Sequence, residues 1–141
     1  MKKLEITEKD VWRYGLKDTH NGERPTAAGI EACRAWLRAF ATPSPRAPHK
    51  HNSYWYKHRV EDWLRGKWPR NEICRARAAL PYAVAPEGAY VGNGEFIVAA
   101  LREGFCVVAC AEGGMNAYVG FTFPVQMALD DRMFADHRRT P

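Results

Sequence analysis

Serine is nearly missing from this chain: there are two in 141 residues, Ser44 and Ser53. One lies in a proline-rich stretch and the other where a helix should begin, so neither suits a serine nucleophile. Apolar runs are short, and none approaches the roughly 18 residues that a membrane-spanning helix needs. The opening MKKLEITEKD has the pair Lys2-Lys3 but no apolar stretch behind it. It is therefore not a secretory signal, and a cytoplasmic location is expected. No CxxC, HExxH or GK[ST] pattern occurs, which leaves zinc sites and phosphate loops without their usual framework. The adjacent carboxylates Glu61-Asp62 and Asp130-Asp131 would diverge on a helix. No internal repeat is present. No catalytic residue, metal ligand or cofactor is assigned, and a non-enzyme is expected.

Four cysteines are present, Cys33, Cys74, Cys106 and Cys110, all in apolar periodic stretches. Without an export signal they are expected to be buried reduced thiols and not disulfides. Cys74, beside Arg75 and Arg77, comes nearest to a reactive thiol, but its place next to Ile73 points inward.

What the chain does have is charge polarity. Residues 1–43 carry eight Lys/Arg against six Asp/Glu, residues 44–77 nine against three, and residues 78–141 four against seven. The net charges are +2, +6 and −3, which sum to the whole-chain +5. A basic centre beside an acidic half suits an anionic partner on one surface.

The stretch SYWYKHRVEDWLRGKW, residues 53–68, organises the basic centre. At helical spacing Tyr56, Val60, Trp63 and Leu64 share one face, with Tyr54, His58, Glu61 and Arg65 opposite. Glu61 precedes Arg65 by four residues, the favourable order for an ion pair. Ser53 is the expected N-cap, and Gly66 and Pro69 are the stops. Trp55 falls beside the polar face, where it can stack on a base, anchor an interface, or pack under Arg59.

Around it, the residues predict the following order. Leu4–Ile6 suggests a short strand, and EKDVWRYGLKD a short helix breaking near Gly15. DTHNGE is a turn centred on Asn21-Gly22. Residues 25–41 form the clearest helix, capped by Thr26, with Ile30, Cys33, Trp36, Leu37 and Phe40 inward and Glu31, Arg34 and Arg38 on a solvated face. Residues 42–52 read as a proline-rich loop, a flexible basic arm bearing Arg46 and Lys50. His49, His51 and His58 lack a cysteine or carboxylate at ligand spacing, so the arm is not read as a metal site. Asn71 can cap a second short helix through Leu80, and the pair resembles a helix-turn-helix only loosely, because Gly66 and Pro69 lengthen the break. Residues 89–91 suggest a strand, then Asn93 caps a helix that Gly104 ends. FCVVACA and AYVGFTF read as an antiparallel hairpin across EGGMN, with the first strand covered on both faces. Pro124 can open a last, weakly patterned helix, and residues 136–141 a frayed tail. The expected class is α+β: one domain of about four helices on a small antiparallel sheet that includes a C-terminal hairpin.

Two segments stand out as a pair: Ser53-Tyr54, Lys57-His58 and Glu61, then Tyr90-Val91, Asn93-Gly94, Ile97 and Ala99-Ala100-Leu101. In carrying SYxxKHxxE followed by YVxNGxxIxAAL, the chain resembles small proteins of phages and integrative elements. The resemblance covers at most residues 53–123 and brings no activity with it. It implies roles such as DNA handling, gene regulation or disabling a host defence system.

Together these features point to a non-catalytic protein that binds nucleic acid, DNA ahead of RNA, in the cytoplasm of a host cell. Phosphate contacts are expected from Lys57, Arg59, Arg65, Lys67, Arg70, Arg75 and Arg77, aided by Arg46 and Lys50. Trp55 and Trp68 would offer stacking planes. The alternative is a protein-binding inhibitor of a host defence nuclease, of the anti-restriction or anti-CRISPR kind. It would use Tyr54, Trp55 and Arg59 as anchors, or its acidic C-terminal half as a nucleic-acid mimic. The partner is thus nucleic acid or a host protein, with no membrane, and a homodimer remains open.

Overall fold

A computed structural model describes residues 6–46, 51–67, 89–111 and 114–122. Among them the chain is an α+β structure of three α-helices and a three-stranded antiparallel sheet. A 3-10 turn at Glu8–Asp10 leads to α1, Ala27–Phe40, and then β1, Thr42–Pro43. Next come α2, Ser53–Leu64, and α3, Asn93–Arg102, followed by β2, Cys106–Ala109, and β3, Ala117–Thr122. The helices expected at 71–80 and after Pro124, the tail at 136–141 and the strand residues Leu4 and Glu5 lie outside the described residues. No helix among the described residues is long and apolar enough to cross a membrane.

α1 forms as its apolar spacing requires. The Thr26 hydroxyl accepts from the Gly29 amide at 3.1 Å, and Ile30, Cys33, Trp36, Leu37 and Phe40 are all buried. Trp36 is fully enclosed, with the rings of Phe40, Tyr56, Phe96 and Phe121 at centroid distances of 5.8, 6.3, 6.0 and 6.0 Å. One side chain thus ties α1 to α2, α3 and β3, and such aromatic pairs add about 0.5–1.5 kcal/mol each beyond their buried area. Arg34 and Arg38 do not simply face solvent. Both hold Glu103 at the end of α3, at 2.8 and 2.9 Å, and together they keep its carboxyl below the usual range.

The sheet order is β1-β3-β2, with Thr42 opposite Thr122 and Cys106 opposite Gly120. β3 is the central strand, and its Ala117, Val119, Gly120 and Phe121 are buried. Among the described residues β2 pairs with β3 alone, and it is not fully enclosed as its composition suggested: Cys106, Val107 and Val108 are half-buried and Ala109 is exposed. Cys33, Cys106 and Cys110 are free thiols, Cys33 buried and the other two half-buried.

Two expectations near the sheet change. The start of the proline-rich stretch is β1, and the Ser44 amide donates to the Gly120 carbonyl at 2.9 Å. A side chain at Gly120 would run into the carbonyls of Ser44 and Arg46, so glycine lets this segment lie flat on β3. Residues 89–91 form no strand, because the Val91 amide is taken by a side chain of α2. At the N-terminal side the expected helix shrinks to the 3-10 turn; Trp12 and Gly15 then bridge, and the Leu16 amide donates to the Met115 carbonyl at 2.9 Å.

Candidate functional site

α2 begins one residue earlier than its sequence suggested. The Asn52 side chain caps it by accepting from the Trp55 amide at 3.0 Å. Ser53 is left to make a tertiary contact, its buried hydroxyl accepting from the Ala117 amide at 3.0 Å and pinning the start of α2 to β3. Gly66 ends the helix region with φ +73°, a backbone region that favours glycine.

The apolar face holds, with Tyr56, Val60 and Trp63 in the core and Leu64 packed against it. The polar residues do not stay outside. Lys57, Arg59, Glu61 and Asp62 are 5%, 0%, 4% and 7% exposed. Burying charge is tolerable only where partners are built in, and α2 supplies them within itself. Lys57 Nζ donates to Glu61 Oε2 at 3.2 Å, His58 Nδ1 lies 3.0 Å from Glu61 Oε1, and Arg59 pairs with Asp62 at 3.2 Å. Glu61 therefore turns toward Lys57 and His58 and not toward Arg65 as its spacing suggested.

The two segments singled out in the sequence meet at this network. Glu61 Oε2 also accepts from the Val91 amide at 3.2 Å, and Lys57 Nζ lies 4.5 Å from the Tyr90 ring centroid. Burial pushes the Tyr90 phenol up to about 12. Asn93, expected as a cap, is the first residue of α3, and Gly92 takes the cap position. The Asn93 amide instead donates to Asn116 Oδ1 at 2.9 Å and to the Met115 carbonyl at 3.3 Å. Glu95 reaches back to the Gly92 amide at 3.0 Å, the returning half of a capping box. Its side chain lies against Gly29 of α1 and Gly92, where a Cβ at either position would strike it. Glu95 is 1% exposed, its Oε2 has no hydrogen-bond partner among the described residues, and burial raises its carboxyl against the pull of the Gly92 amide and Arg13.

The expected interface residues are thus divided. Lys57 and Arg59 are inside, not on an outward-facing patch, because each has a carboxylate on its own helix. Trp55 is half-buried; the His51 ring stacks on it at 3.8 Å and 9°, and the Arg59 guanidinium lies 4.6 Å from its ring. Arg65, Lys67 and Arg46 are exposed. Trp68, Arg70, Arg75, Arg77 and Lys50 lie outside the described residues. The open ring is one that sequence reasoning assigned only to the alternative reading: Tyr54, 51% exposed, is the exposed large hydrophobic residue among those described. Among the described residues no group of three or more His, Cys, Asp or Glu is placed to hold a metal ion.

The self-pairing of α2 changes where the positive charge acts. Removing Lys57 and Arg59 from the nine basic residues of 44–77, and Glu61 and Asp62 from its three acidic ones, leaves seven against one. The surplus of +6 is unchanged, but all of it now belongs to Arg46, Lys50 and residues 65–77. Compared with protein-family models, with curated proteins and with solved structures, the chain matches none.

Proposed function

We propose that this chain is a non-catalytic binding protein that engages nucleic acid, DNA ahead of RNA, through the basic segment 65–77 and the arm before α2. Its resemblance to small proteins of phages and integrative elements suits such a role in the cytoplasm of a host cell. The observation that supports it is the charge placement: α2 neutralises its own buried ions, and the excess falls on residues 46, 50 and 65–77, where Arg65, Lys67 and Arg46 are exposed. Cations at the solvent surface are the ones that can reach phosphate and release its counterions. Arg65, Lys67, Arg70, Arg75 and Arg77 are the phosphate contacts of this reading, with Trp68 as an added stacking plane. Retention on DNA should fall steeply between about 50 and 200 mM salt. Arg65→Glu with Lys67→Glu should flatten the salt dependence by about two phosphate contacts. Retention indifferent to salt refutes the reading.

One observation favours a second reading, an inhibitor that binds a host defence nuclease. Tyr54 is an exposed aromatic of the kind that anchors protein interfaces. Its other expected anchors do not serve, since Arg59 is buried and Trp55 is engaged with His51. Under this reading, capture of a nuclease from host lysate survives both nucleic-acid digestion and charge reversal at Arg65 and Lys67.

A further inference from the structure

We infer that β2 pairs with the β2 of a second copy of this chain, joining the two sheets edge to edge about a twofold axis at Val108. This goes beyond the nucleic-acid reading and does not rest on it. Among the described residues β2 forms one edge of the sheet. The Cys110 amide donates to the Asn116 carbonyl at 3.0 Å, and Cys106 and Val108 stand opposite Gly120 and Tyr118. Alternate residues of an antiparallel strand turn their backbone groups the same way, so these three face β3 while Val107 and Ala109 turn theirs outward. Among the described residues nothing bonds to those outward groups, and Ala109 is exposed. An edge left open is a template for another strand, and natural ones are blunted by lysine, proline or a bulge. Phe105 to Ala111, FCVVACA, has neither a charge nor a proline. The occupant follows from the edge itself, because its CVVAC matches its own sequence when run antiparallel. Val107 of one copy then exchanges backbone bonds with Ala109 of the other, Val108 meets Val108, and Cys106 stands opposite Cys110 at either end. Those cysteines are non-hydrogen-bonded pairs, with Cα atoms about 4.5 Å apart, inside the roughly 4.4–6.8 Å that a disulfide spans. Within one copy the intervening extended chain holds them about 13 Å apart, beyond that reach.

The test uses the full chain carrying Cys74→Ser, a position outside the described residues, and Cys33 is buried. Diamide takes up two electrons and two protons as two thiols become a disulfide, and non-reducing gels read the covalent dimer. Burial pushes the Cys110 thiol up, so the oxidation is run in mildly alkaline buffer. Cys106→Ser and Cys110→Ser should each lose nearly all of the covalent dimer, because every remaining thiol of the pair then faces a serine. An equal mixture of the two should regain it in about half of the pairs, those in which unlike copies meet. Under reducing conditions Ala109→Pro should sediment as a monomer at concentrations where the unmodified chain dimerises, since proline deletes an outward amide and leaves the bonds to β3 in place. Unchanged circular dichroism and urea midpoints verify that the variants fold. Covalent dimer from either single variant alone, no gain on mixing, or an unmodified chain that stays monomeric at every concentration overturns the pairing, and each leaves the nucleic-acid reading intact.

Discussion

Glu61→Ala is the substitution that tests the buried network most directly. The carboxylate is 4% exposed and serves Lys57 Nζ at 3.2 Å, His58 Nδ1 at 3.0 Å and the Val91 amide at 3.2 Å. Its removal strands an ammonium that is 5% exposed and leaves a buried amide without its acceptor. Breaking a buried ion pair from one side costs about 3–5 kcal/mol, and an orphaned amide about 1–3 kcal/mol. The two overlap because the cavity relaxes and the Tyr90 and Tyr54 rings still attract the ammonium, so about 3–5 kcal/mol is the expected total. Lys57→Met in the Glu61→Ala background removes the stranded charge, and the double variant should recover at least about 1 kcal/mol over simple addition. Urea unfolding followed by circular dichroism measures both, provided the slope with denaturant is unchanged. A loss below about 1 kcal/mol for Glu61→Ala, in the range of an exposed ion pair, would refute the claim that this pair is structural.

Gly94→Ala should destabilise by about 3 kcal/mol or more or prevent folding, because the new Cβ would press on the Trp12 and Arg13 carbonyls; the urea midpoint reads this. Glu95 carries a pH signature: its folded carboxyl is raised above the ordinary 4.5 by burial, so the stability it contributes is complete below that value and is lost as pH rises through its folded value. Glu95→Gln should abolish that loss, so urea midpoints of the two proteins should diverge from acid to neutral pH, and parallel curves would show that the carboxyl is not raised.

Much of the fold is legible in the sequence. The inward stripe of α1 is given by spacing alone, and Gly66 and Gly104 do sit at positive φ, +73° and +80°. The antiparallel pairing of β2 with β3 follows the two β-rich runs. The site was less legible, and for one reason. Helical spacing says which residues share a side, but it does not say how many sides are covered. α2 is enclosed on more than its apolar face, so Lys57, Arg59, Glu61 and Asp62 went inside together. A signal was present: Lys57–Glu61 and Arg59–Asp62 are at i,i+4 and i,i+3, and the first of these competes with Glu61–Arg65 for the same carboxylate. The caps missed by one position have a similar cause. Ser53 and Asn93 are both good caps by type, but Ala117, Met115 and Asn116, brought from elsewhere in the chain, engage their side chains instead.

The ring of Trp36 bears on how this polypeptide matures. Its neighbours Tyr56, Phe96 and Phe121 come from progressively later parts of the chain, and β1 cannot pair with β3 until that strand has been made. A nascent chain leaving the ribosome therefore carries α1 with its indole incompletely covered until Phe121 emerges. Distant pairings of this kind slow folding and lengthen exposure to aggregation until β3 arrives.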